Sequence, residues 1–157
     1  MAASVLPQKL PSAKIILALF FSIGAFAQAK NPAKFTFEAV KKSADTYEIV
    51  ITANVESPWH IYSQNTPKGG PVPTKITFKA NPLVKLNGTA KEVGKMENVK
   101  DKTFGVNVMY YSNKVQFVQT VKVKAGTKTN ISGTIEYMVC DDEMCLPPKK
   151  VPFEVKL

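Results

Sequence analysis

Lys114-Val-Gln-Phe-Val-Gln-Thr-Val-Lys-Val-Lys124 decides the fold. Val115, Phe117, Val121 and Val123 share one face of this run, the period-two pattern of a strand with one buried and one wet side. A second run behaves alike: Ile131, Gly133, Ile135, Tyr137 and Val139 share one face of a strand that ends at Cys140. Phe35-Thr-Phe-Glu-Ala39 and Ile76-Thr-Phe78 alternate too, and 47–55 is rich in β-branched residues. Turn chemistry separates the runs at Ser57-Pro58, 65–71, Asn81-Pro82, Asn87-Gly88, Ser112-Asn113 and Ala125-Gly126. Strands broken by turns every 8–12 residues or so predict an all-β, two-sheet antiparallel sandwich. Nothing after residue 27 holds a helical period, and neither repeat nor linker splits off a second domain.

The first 27 residues read differently. Lys9 and Lys14 give a positive flank, and Ile15 to Ala27 is an apolar run interrupted only by Ser22 and Gly24. Ala25-Phe26-Ala27 offers small residues where a signal peptidase reads. The run falls short of the roughly 20 residues needed to span a bilayer. A cleaved signal peptide over 1–27 is therefore expected, with one domain over 28–157, export to the periplasm and no stable membrane insertion.

Charge excludes little but points one way. Setting Lys9 and Lys14 aside lowers the formal excess from +9 to +7. The lysines are spread out and mostly alternate with apolar residues, as in Val121-Lys-Val-Lys124, which is how the wet face of a sheet reads. A nucleic-acid partner is not expected.

Cys140 and Cys145 are the only cysteines, set in Tyr137-Met-Val-Cys-Asp-Asp-Glu-Met-Cys-Leu-Pro-Pro148. In an exported chain so close a pair is expected to form a disulfide. Closing about six residues stabilises a fold by only about 2 kcal/mol on the chain-entropy estimate, less than joining distant strands. Short, exposed disulfides tend to be reducible. Spacing alone leaves three roles open: an inert staple, a redox pair, or soft ligands for a metal. Asp141, Asp142 and Glu143 disfavour a thiolate between them, partly offset by Lys102, Lys149 and Lys150, or they merely solubilise the loop. Pro147-Pro148 should end the loop, with a last strand over 151–155.

Other chemistry has less to stand on. His60 is the only histidine, so neither a triad nor a histidine-rich metal site can be assembled. Met138, Cys140, Met144 and Cys145 would suit Cu(I), but both methionines serve equally as core. Zinc would want four ligands and finds at most three good ones. No metal and no cofactor is expected. Trp59, Tyr62, Tyr110 and Tyr111 could line a surface or fill a core.

The cysteine run, with Val151-Pro-Phe153 after it, closely resembles the cysteine motif of the amino-terminal periplasmic domain of the thiol:disulfide interchange protein DsbD. Trp59-His-Ile-Tyr-Ser-Gln64 is similar to that family's aromatic segment, and Asp101-Lys-Thr-Phe-Gly105 occupies the place of its cap loop. The resemblance spans about 35–155. It implies an immunoglobulin-like sandwich that relays electrons by thiol–disulfide exchange, a protein-disulfide reductase or interchange component. It makes Cys140 and Cys145 the redox pair, with Cys145 facing the partner and Cys140 resolving. Tyr62 and His60 match aromatic positions beside the pair. Phe104 matches the cap side chain, in a loop opened by Asp101.

Three departures accompany the likeness. The inter-cysteine loop is one residue shorter than in the best-known members. Lys102 and Thr103 stand where an acidic and an aromatic residue belong. The membrane and thioredoxin-like domains of DsbD do not follow, so the expected partners are a separate membrane electron-transfer protein and thioredoxin-like periplasmic oxidoreductases. A binding module with an inert disulfide is the competing expectation.

Overall fold

The computed structural model describes residues 31–102 and 104–157. The expected signal peptide lies outside them. Among the described residues the chain forms nine strands: β1 (Ala33–Lys41), β2 (Thr46–Val55), β3 (His60–Tyr62), β4 (Lys75–Phe78), β5 (Val84–Lys100), β6 (Asn107–Val123), β7 (Asn130–Tyr137), β8 (Val139–Cys140) and β9 (Lys149–Lys156). They form an immunoglobulin-like sandwich. One sheet runs β1-β2-β6-β3-β8 with β5 along the other side of β6, and the second runs β4-β7-β9, every pairing antiparallel.

The alternating faces meet in the middle. Ile49, Ile51 and Ala53 of β2, Val115, Phe117 and Val121 of β6, and Ile131, Ile135 and Tyr137 of β7 share one core. Aromatic rings clamp the sheets together, Phe35 lying 4.7 Å from Tyr137 and Phe37 5.1 Å from Phe153 between centroids. Gly133 sits where a Cβ would strike the Thr77 carbonyl oxygen and the Phe153 ring, so only glycine lets β4 and Phe153 come that close.

Two turns expected from sequence are bulges inside long strands. At Asn87-Gly88 the chain stays in β5, and the register against β6 shifts between Asn87 and Lys91. Gln119 is 2% exposed at an inward position of β6, and its amide donates to the Asn87 carbonyl at 3.1 Å, which anchors that bulge. Ser112-Asn113 lies inside β6, with Asn113 at φ 64°, a left-handed conformation asparagine tolerates. There β6 changes neighbour, from β2 at Lys114 to β3 at Ser112. That exchange opens the place where the cysteines sit.

Candidate functional site

β3 is short but holds the site together. On one side His60, Ile61 and Tyr62 pair with Ser112, Tyr111 and Tyr110; on the other, His60 pairs with Cys140 and Ile61 with Val139. Ile61 and Trp59 point into the core, at 0% and 2% exposure. Directly opposed residues of antiparallel strands project to the same face with Cβ atoms about 5 Å apart. His60 and Cys140 are thus side-by-side neighbours.

The inward face runs on to Val139 as expected, past the gap between β7 and β8 at Met138, and Val139 joins the core of Ile131, Ile135 and Tyr137. Cys140 lies on the opposite face, yet it too is buried, at 2% exposure beside 3% for Val139, because Tyr62 and Val108 form a second cluster over it. The Met138 sulfur accepts a hydrogen bond from the Val72 amide at 3.4 Å.

Cys140 and Cys145 are joined as a disulfide. The Leu146 amide donates to the Val139 carbonyl at 2.9 Å, and the Asp141 amide to the Met144 carbonyl at 2.9 Å, closing a narrow hairpin. Asp141 turns the tip, its Oδ1 accepting from the Glu143 and Met144 amides at 2.9 and 2.8 Å. Asp142, Glu143 and Met144 are left exposed, and Cys145 partly so. The pair is asymmetric: Cys140 is buried and Cys145 is partly exposed.

Facing it is the connection from β5 to β6. The Asp101 amide donates to the Val106 carbonyl and the Gly105 amide to the Asp101 carbonyl, each at 2.9 Å. The Asp101 Oδ1 accepts from the Phe104 amide at 3.0 Å. Gly105 takes φ 69°, the left-handed conformation that favours glycine. Phe104, partly buried, belongs to neither apolar core cluster. It lines one cavity with Asp101, His60, Tyr62, Cys140 and Cys145, so all six site residues expected from sequence come together there.

His60 Nε2 lies 3.1 Å from the Tyr62 hydroxyl, and its ring is 4.2 Å from that of Tyr110. Burial lowers the His60 pKa, while the carboxylates of Asp142, Glu97, Asp101 and Asp141 pull it back up. Burial raises the Tyr62 and Tyr110 phenols above their ordinary value. Glu97 was not visible as a site residue in the sequence. It accepts from the Ser112 hydroxyl at 2.9 Å and the Tyr110 hydroxyl at 3.4 Å, and so stiffens the wall behind His60. Of the lysines expected to offset the acidic loop, Lys102 lines the cavity, whereas Lys150 pairs with Glu136 at 3.6 Å. Among the described residues, no three His, Cys, Asp or Glu side chains are placed to hold a metal ion.

The arrangement is a disulfide between a buried and a partly exposed cysteine, and the family match points to thiol–disulfide chemistry. Residues 27–157 match the family described as "Thiol:disulfide interchange protein DsbD, N-terminal". Among solved structures, the reduced DsbD N-terminal domain of Neisseria meningitidis is 17% identical, with a TM-score of 0.51 over 76% of this chain and 82% of that one. The complex between the DsbD and PilB N-terminal domains of the same organism aligns at 14% identity and a TM-score of 0.49, covering 76% and 80%. The N-terminal periplasmic domain of ScsB from Proteus mirabilis aligns at 14% and 0.46, covering 78% of this chain and 44% of that one. No curated protein matches the chain in sequence. With the family match running from residue 27 to the last residue, this chain belongs to the DsbD N-terminal family of thiol–disulfide interchange modules.

Proposed function

We propose that the chain is a periplasmic electron relay, exported by residues 1–27 and working as the domain 28–157. Reduced, it carries two thiols. Cys145 attacks the disulfide of a thioredoxin-like oxidoreductase and forms a mixed disulfide; Cys140 then attacks Cys145 and releases the partner as a dithiol. Two electrons and two protons pass to the partner, and the Cys140–Cys145 disulfide returns. A separate membrane electron-transfer protein, or a thioredoxin-like donor, reduces it again through the reverse steps. Phe104 shields the sulfurs, Asp101 anchors the turn that holds Phe104, and Tyr62 and His60 form the wall of the site. Cofactor, nucleic acid and membrane insertion have no part in the scheme.

One observation carries this reading. Cys140 is 2% exposed while Cys145 is partly exposed beside a Gly-hinged turn, an asymmetry an inert staple does not need. Equilibration against glutathione or thioredoxin, read by thiol alkylation, should give a potential of about −180 to −270 mV. A value below about −300 mV would favour the inert-disulfide binding module instead. Cys140→Ser should trap a stable mixed disulfide through Cys145, and Cys145→Ser should trap little. Trapping by both variants alike, or only through Cys140, would reverse the assignment of the sulfurs.

A further inference from the structure

Resting on this relay reading, we propose that His60 is the proton acceptor for Cys140, taking the thiol proton as Cys140 becomes the attacking thiolate of the resolving step. Cys140 is 2% exposed as the disulfide, so little water is at hand to take its proton once the pair is reduced. Yet thiolate is the attacking species. Cys140 therefore needs a base inside the protein.

The groups facing it narrow the choice. Asp101 and Lys102 approach from the cap turn, Glu97 and Lys100 from β5, Tyr110 from β6, Tyr62 from β3, and Asp141, Asp142 and Glu143 from the cysteine hairpin. Carboxylates are too weakly basic to match a thiol near neutral pH. The phenols, raised by burial, stay protonated, and ammonium groups have no lone pair to offer. His60 alone is a neutral base near pH 7, since burial lowers its pKa. It is also the residue paired with Cys140 across β3 and β8.

The site also stabilises the imidazolium so formed. Its Nε2–H can donate to the Tyr62 hydroxyl, 3.1 Å away. Its ring lies 4.2 Å from that of Tyr110, within the range of a cation–π contact. Asp142, Glu97, Asp101 and Asp141 all favour the positive charge.

The step balances. In the mixed disulfide, the Cys140 proton moves to His60 and the thiolate pair attacks Cys145 Sγ. The Cys140–Cys145 bond forms, the bond from Cys145 to the partner breaks, and the partner sulfur leaves with the electron pair. The imidazolium then returns its proton to that leaving thiolate. In the reverse direction the imidazolium protonates Cys140 as it leaves.

Dithiobis-nitrobenzoate, mixed in one equivalent with the fully reduced protein, tests this without a protein partner. Attack by Cys145 releases one coloured thiolate, and resolution by Cys140 releases the second. His60→Phe keeps an aromatic ring against Tyr110, and His60→Gln keeps a hydrogen-bonding group for Tyr62; neither is a base. His60→Gln also covers the case in which His60→Phe does not fold, with the thermal midpoint as the check.

In both variants the first release should stay within about twofold of wild type, and the second should slow at least tenfold at pH 7, at the low end for a general base. The gap should close toward alkaline pH, where the thiol ionises unaided. In wild type, the second rate should follow the ionisation of the single histidine, read from its Cε1 proton by NMR. An unchanged second release, or one slowed equally at every pH, overturns the proton role while leaving the relay standing. A wild-type protein that releases only one equivalent overturns the relay reading and the role of His60 with it.

Discussion

Replacing Phe104 by alanine separates a cap from a core residue, because the two roles predict effects of different size. A fully buried phenylalanine covers about 150–250 Å², and Phe→Ala in a core costs about 3–5 kcal/mol. Phe104 is partly exposed on a turn and outside both core clusters. If roughly 80 Å² of its ring lies over the cysteine cavity, closure gains about 2 kcal/mol at 25 cal/mol per Å². Ordering the turn consumes about half of that, leaving the closed form favoured by about 1 kcal/mol. Losing that bias should speed alkylation of the reduced thiols about fivefold. Stability should fall by about 1 kcal/mol, a midpoint shift of about 3–5 °C for a domain of this size. Phe104→Leu, which keeps an apolar shield, should behave almost as wild type. The assay is iodoacetamide labelling of the reduced protein, followed by mass spectrometry, with a thermal melt on the same sample. A loss above about 3 kcal/mol with unchanged labelling would refute the cap and place Phe104 in the core.

Two further outcomes follow from packing and titration. Gly133→Ala should cost about 1–3 kcal/mol or more, read from urea midpoints at constant m, because the new Cβ meets the Thr77 carbonyl and the Phe153 ring; a change within about 0.5 kcal/mol would mean that β4 and Phe153 move aside freely. Burial raises the phenol pKa of Tyr62, Tyr110, Tyr111 and Tyr137. Folding thus favours their neutral forms, so their stabilising contribution is whole below the unfolded value near pH 10 and is lost as pH rises beyond it. Urea denaturation at about pH 8 and pH 11 should show that loss, smaller in Tyr62→Phe than in wild type.

Strands that bury one face were legible, and those that do not were hidden. β6 and β7 announced themselves because Val115, Phe117, Val121, Ile131, Ile135 and Tyr137 all go inward. β5 spans 17 residues with most side chains exposed, so no hydrophobic period marks it. It exists because its backbone pairs with β6. Asn87-Gly88 and Ser112-Asn113 carried correct local chemistry, since Gly88 and Asn113 do take positive φ. Sequence cannot tell a turn that reverses the chain from a bulge that bends it, because both ask for the same backbone conformation. At the site, the cysteine run and the aromatic segment were readable through resemblance. The burial of Cys140 was not, because it depends on Tyr62 and Val108 from distant strands covering the other face. Glu97 could not be placed beside His60 without β5.

The acidic hairpin had two readings, suppressing the thiolate or solubilising a loop, and its residues divide between them. Asp141 spends its carboxylate on the hairpin, accepting two backbone amides at 2.9 and 2.8 Å. Asp142 and Glu143 face water, where a unit charge about 4 Å away is worth about 1 kcal/mol and salt weakens it further. Cys140 is buried and Cys145 partly exposed, so the hairpin carboxylates bear mainly on Cys145. A docking partner that excludes this water lowers the local dielectric and strengthens every charge on the hairpin at once. The same residues that are weak in the free protein then act on the thiolate of Cys145 just when a second sulfur is beside it. On the relay proposed above, control of the exchange would belong to this covered state of the site.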